Sequence, residues 1–68
     1  MRLKQYEGKN IRIIDIDGQI FEGPVTDYIH AGEDDTGLES IIVKCTKGWL
    51  KDQGVEFWEK DIKSIEII

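Results

Sequence analysis

Apolar residues along this chain fall into short runs that alternate with polar ones, with little recurrence at helical spacing. From Asn10 to Gly23 the sequence reads Asn-Ile-Arg-Ile-Ile-Asp-Ile-Asp-Gly-Gln-Ile-Phe-Glu-Gly. Ile11 and Ile13 alternate with Arg12, as a half-buried strand requires. Two β-branched, apolar-rich runs flank Asp17-Gly18. That pair predicts a hairpin with a two-residue type I′ turn, in which both central residues take positive φ. The other elements are expected to cover or extend this hairpin.

The first strand is expected over about Lys9 to Ile16. Its alternation changes parity at Ile14 and Ile16, which implies either a β-bulge or partial cover on both faces. A second strand runs from Gln19 to about Ile29 and is interrupted by Gly23-Pro24. Proline cannot donate to a ladder, so Pro24 belongs at an edge, a bulge or a sharp bend. His30 to Gly37 has two glycines and three consecutive acids, and reads as a solvated connection. A third strand follows over about Leu38 to Thr46, with Ile41, Val43 and Cys45 on one parity. Turn signals at Lys47-Gly48 and Asp52-Gln53-Gly54 enclose Trp49 and Leu50. Val55 to Trp58 is a short fourth strand, Glu59-Lys60-Asp61 a tight link, and Ile62 to Ile68 the last strand, with a parity break between Ile62 and Ile65. Before all of these, Leu3 and Tyr6 share a face of one helical turn ended by Gly8. The pattern predicts one all-β domain over residues 1–68. It is a short N-terminal helical turn followed by five short antiparallel strands in a strongly bent small barrel, a shape that also removes exposed edges.

Composition narrows what such a domain does. At 68 residues it buries only about 60% of its unfolded surface, so cover from a partner subunit would help it. Nine basic residues stand against 14 acidic ones, a net charge of −5, so the bulk field repels nucleic acid and anionic membranes alike. The single cysteine, Cys45, forms no intrachain disulfide and suits a reducing cytosol. The N-terminus has no apolar segment of signal-peptide type, and no apolar run approaches the ~20 residues that span a bilayer.

Catalytic and metal chemistry find little footing. Asp15, Asp17 and Gly18 resemble part of a calcium loop, but the required acid six residues after the glycine is Pro24. Glu33-Asp34-Asp35 with Glu39 reads as a solvated loop, with weak cation binding as the alternative. His30 and Cys45 have no ligand partners at zinc spacing. Ser40 and Ser64 have no histidine partner in any nucleophile motif, and no glycine-rich phosphate cradle occurs. Neither an enzyme nor a cofactor is expected. Trp58 reads as core filler on a strand. For Trp49, paired with Leu50 in a turn-rich segment, core and interface are equally open, so Trp49, Leu50 and Trp58 are the candidate interaction residues.

The order of elements resembles the Sm-like (LSm) family, within the wider set of SH3-like barrels. Leu3 to Tyr6 and Gly8-Lys9 look like its N-terminal helix and exit. Ile11, Ile13, Asp17-Gly18 and Gly23 look like its first motif, and Asp61 to Ile67 like the end of its second. The chain is also similar to small Sm-fold proteins of Gram-positive bacteria and their mobile elements. The resemblance implies a homo-oligomer in which fourth and fifth strands of neighbouring subunits pair, here with Val55, Phe57, Ile65 and Ile67 on the edge strands. It also implies an RNA site, placed by family position at Asp27, Tyr28, His30 and Lys60. The sequence departs from the pattern there: Glu59-Lys60 stands where a basic turn is usual, and Asp27 to His30 lacks the usual asparagine. Lys44, Lys47, Lys51, Lys60 and Lys63 are the candidates for a local basic patch. The expected function is a non-enzymatic, cytoplasmic module for protein interaction or oligomeric assembly. The alternatives are an RNA-binding ring and a standalone domain acting on a host or phage partner.

Overall fold

Reversal of the chain at Asp17-Gly18 is the first feature of the computed structural model, which describes residues 2–32 and 37–68. Strands β1 (Asn10–Asp15) and β2 (Ile20–Ile29) pair antiparallel, with Ile13 opposite Phe21 and Ile11 opposite Gly23. The turn differs from the two-residue form. Gly18 N–H donates to the Asp15 carbonyl at 3.0 Å, and Asp15 N–H to the Gln19 carbonyl at 2.9 Å. Of the central pair only Gly18 has positive φ, at +83°. The loop is therefore the three-residue form, a turn followed by a left-handed glycine. The Asp15 carboxylate explains the preference. It accepts the N–H groups of Asp17 at 2.9 Å and Gln19 at 2.8 Å, a local cap that a two-residue turn would not offer.

The sheet continues with β3 (Ser40–Lys44), β4 (Gly54–Trp58) and β5 (Ile62–Ile67), in the order β4-β3-β2-β1-β5, all antiparallel. A 3-10 turn, η1 (Leu3–Tyr6), precedes β1, and a second, η2 (Glu59–Asp61), joins β4 to β5. In a flat five-stranded sheet the two edge strands would lie about 19 Å apart. A three-residue 3-10 turn advances only about 6 Å. Since η2 joins the two edges directly, the sheet has to curl. It does so without closing: β4 and β5 are not hydrogen-bonded to each other. The expected barrel is thus an open one, with a seam between its first and last edges.

Inside the curl lie Ile11, Ile13, Phe21, Val25, Ile41, Val43, Cys45, Phe57 and Ile62, with Leu3 of η1 closing one end. The Phe21 and Phe57 rings meet edge to face with centroids 5.0 Å apart, a geometry that adds about 0.5–1.5 kcal/mol to their area burial. Both parity breaks in the sequence are resolved. Along β1 there is no bulge: Ile11 and Ile13 point in and Ile14 out, while the exposed Ile16 lies past the strand, in the turn. Along β5 there is one: Ile14 pairs with Ser64 and Asp15 with Ile62, so Lys63 is the extra residue and both Ile62 and Ile65 turn inward. Among the described residues no helix is long and apolar enough to cross a membrane.

Strand β2 serves two neighbours in succession. Its first half, to Pro24, pairs with β1; its second half, from Val25, pairs with β3. Pro24 sits at the handover, where the bend expected from the sequence occurs, and Thr26 is bulged immediately after it. Gly23 makes the handover possible. A Cβ on it would overlap the Lys44 carbonyl oxygen and lie 2.9 Å from that carbonyl carbon, and neither backbone atom can step aside. Gly23→Ala is therefore expected to cost about 2–4 kcal/mol in urea unfolding, whereas Gly32→Ala, in an exposed turn, stays within about 0.5 kcal/mol. Equal effects at the two sites would contradict the packing described.

Candidate functional site

The two edges of the curled sheet present the first candidate surface. On β4, Phe57 is buried and Val55 half-buried. On β5, Ile65 is opposite Ile13 and Ile67 opposite Ile11, so both face the core side of the sheet. Ile67 nonetheless remains 56% exposed, although its partner Ile11 is fully buried, and Ile68 beyond it is exposed as well. An inward-facing isoleucine stays wet here because no strand lies outside β5 to cover it. The four residues expected on the edge strands therefore divide: Phe57 is buried, Val55 and Ile65 are half-buried against the core, and Ile67 is left exposed.

The second surface is the β3–β4 loop. Cys45 N–H donates to the Gln53 carbonyl, and Asp52 N–H to the Cys45 carbonyl at 2.8 Å, which carries the ladder past the strands. Inside it, Lys51 N–H donates to the Gly48 carbonyl, forming a turn with Trp49 and Leu50 at its centre. Leu50 packs against the core while Trp49 is 82% exposed. Thr46 N–H donates to the Glu22 carbonyl at 2.8 Å, and Lys47 Nζ lies 2.9 Å from Glu22 Oε1, tying the loop down to β2. Trp49 is thus held out from the body on an internally bonded turn. Trp58 behaves differently. It lies half-buried on the outer face opposite Ser40, and its Nε1 is buried with no hydrogen-bond partner among the described residues.

Residues placed by family position do not form one site. Asp27 is opposite Ile42 and Tyr28 opposite Ile41, so they occupy opposite faces of β2. The Asp27 carboxylate accepts from Thr26 Oγ1, and His30 Nδ1 accepts from Gly32 N–H, both local contacts. Tyr28 donates from its hydroxyl to Glu39 at 2.7 Å. Lys60 lines an open groove of about 490 Å³ with Leu38, Glu39, Glu59 and Ile62, where two carboxylates face one ammonium. The five lysines also separate: Lys44, Lys47 and Lys51 cluster at the start of β4, Lys60 and Lys63 beyond its end. Glu33, Asp34 and Asp35 lie outside the described residues. Among those described, no group of three metal-ligating side chains occurs. Cys45 is buried, and burial pushes its thiol up, which keeps it protonated and inert.

No family model matches the chain, and neither a curated protein nor a solved structure does.

Two carboxylates hold these surfaces in place. Glu39 accepts the Leu3 N–H at 2.8 Å and the Tyr28 hydroxyl, which together hold it below the ordinary glutamate value of 4.5. Glu22 is held down by hydrogen bonds from Arg12 and then Lys47. A carboxylate with a lowered folded pKa stabilises the fold fully above its unfolded value and loses that contribution as pH falls through the folded one. Thermal midpoints followed from neutral pH into acid should therefore drop below about pH 4.5, and less steeply in Glu39→Gln than in the parent. Identical acid limbs in the two proteins would remove Glu39 from this role.

Proposed function

We propose that this chain is a non-enzymatic assembly module of Sm-like type, which joins copies of itself or a partner protein through the free edges of its curled sheet. The observation that carries the reading is Ile67, an inward-facing residue more than half exposed on β5, the edge strand beyond β1. Edges of this kind pair readily with a further strand, gaining backbone hydrogen bonds and covering the apolar side chains at once. The small core points the same way, because association extends burial that 68 residues alone supply thinly. A free, buried cysteine fits a reducing compartment such as the cytoplasm. RNA binding ranks lower: acidic residues outnumber basic ones, and the lysines divide between two ends of β4.

Light scattering on a sizing column is the direct test. The chain at high micromolar concentration is expected well above its monomer mass of 7.8 kDa. Ile67→Lys, which puts a charge at a position already more than half exposed on the edge, should shift it towards the monomer with an unchanged circular dichroism spectrum. A parent protein that is monomeric throughout would sink the assembly reading.

A further inference from the structure

A second apolar recess lies at the seam, on the side of the edge strand β4. It is a groove of about 220 Å³ between the β1–β2 turn and β4. Its floor is apolar, built from Phe21, Val55 and Phe57, with the 64% exposed Ile16 at its mouth. Its remaining lining is acidic: Asp15, Asp17, Glu56 and Asp61. Two of these carboxylates are held by backbone amides, Asp15 capping its own turn and Asp61 accepting from Trp58 N–H, whereas the Glu56 carboxylate turns to the outer face of the sheet, where it accepts from the Ser40 hydroxyl at 2.8 Å. The Asp61 carbonyl also accepts Ile16 N–H at 3.2 Å, which holds the turn against η2 as one wall. The groove is smaller than the ~300–1,000 Å³ typical of small-molecule pockets, and suits a single large side chain.

The occupant such a groove selects is an aromatic or aliphatic side chain flanked by cations. The chain itself carries one. Residues 40–51 hold three lysines and no acid, in a protein whose net charge is −5. Within them Lys47-Gly48-Trp49-Leu50-Lys51 forms the bonded turn that holds Trp49 out, with a lysine two residues away on either side. A tryptophan already held in position loses little conformational freedom on docking, which is the usual profile of an interface anchor.

We propose that Trp49 of one copy docks into the acid-rimmed groove between the β1–β2 turn and β4 of a second copy, with Lys51 facing its carboxylates and Lys47 kept on Glu22 of its own copy. The contact rests on the assembly reading for its partner but seats a side chain at the seam beside β4, and does not add a strand to the β5 edge that carries Ile67. Tip and groove are different patches of one surface, so the contact either closes reciprocally into a two-fold dimer or repeats head-to-tail into a ring or a filament.

Three variants separate the possibilities. Trp49→Ala removes the tip, Ile16→Lys blocks the groove mouth with like-for-like exposure, and Ile67→Lys disables an edge. Trp49→Ala and Ile16→Lys should each weaken self-association at least about tenfold. Mixed together they should recover a dimer that grows no further, since one supplies only a groove and the other only a tip. Association of the parent should also weaken as salt rises, and Trp49 emission should be shielded from a soluble quencher in the oligomer. If the parent associates and only Ile67→Lys disturbs it, the tip-in-groove contact is wrong and the assembly reading stands. If Trp49→Ala weakens association but Ile16→Lys does not, the groove assignment is wrong. If Trp49 stays open to quencher in the oligomer, the tip belongs to a foreign partner and the second-copy assignment is overturned. A parent that never associates removes both readings.

Discussion

Gly23 sits where two backbone segments approach so closely that a side chain has no room. Strand β2 gives up β1 and takes β3 as neighbour across Gly23-Pro24, and the carbonyl of Lys44 passes through the space any side chain there would fill. That close approach allows one ten-residue strand to belong to both halves of a curled sheet. Pro24 fits beside it because no ladder donor is required where partners change. Once β2 bends, β3 and β4 swing towards β5, η2 can bridge the two edges in three residues, and the inner faces enclose a core. The seam, the groove beside it and the free edges are all consequences of a curl that stops short of closure.

A row of charges runs across the outer side of the same sheet. Glu66, Arg12 and Glu22 are directly opposite one another on β5, β1 and β2, with Arg12 Nη1 2.8 Å from Glu66 and Arg12 Nε 2.7 Å from Glu22. Lys47 extends the row from Glu22 into the β3–β4 loop. Solvent-facing pairs of this kind add little to stability and are screened by salt. Their effect here is positional. They fix the register of an edge strand at one end of the row and the seat of the Trp49 turn at the other. The loop that exposes a tryptophan is therefore attached to the rigid centre of the sheet.

What the sequence revealed follows from how local each signal is. Hairpin reversal at Asp17-Gly18 needs only neighbouring residues, and it was legible. The turn type was not, because it hinges on the Asp15 side chain capping two amides, and that cap lets the chain place only glycine at positive φ. Parity breaks at Ile14 and Ile62 were visible too, but their causes differ, an apolar outer side in one case and a bulge at Lys63 in the other. Only the pairing register separates them. The Arg12 row was hidden for the same reason: Glu22 and Glu66 are ordinary surface acids until register brings both opposite one arginine. The acid-rimmed groove was the least accessible, since it gathers Asp15 and Asp17, Val55 to Phe57, and Asp61 from distant parts of the chain.

An open seam is hazardous for a small all-β domain, because an apolar floor beside unpaired edges invites any strand that arrives. Three aspartates beside that floor, Asp15, Asp17 and Asp61, change the terms. They repel one another's copies of the same face, and they make the recess unrewarding for a neutral apolar segment, which would strip water from charges and return nothing to them. A segment that brings ammonium groups with its aromatic ring avoids that cost. The rim thus discriminates in both directions, against most partners and towards one kind, and discrimination of this sort needs the repulsive part as much as the attractive one. A lysine-flanked tryptophan on a pre-bonded turn has the required character. Its presence in the least acidic stretch of an acidic chain is the complement that the rim lacks within a single copy.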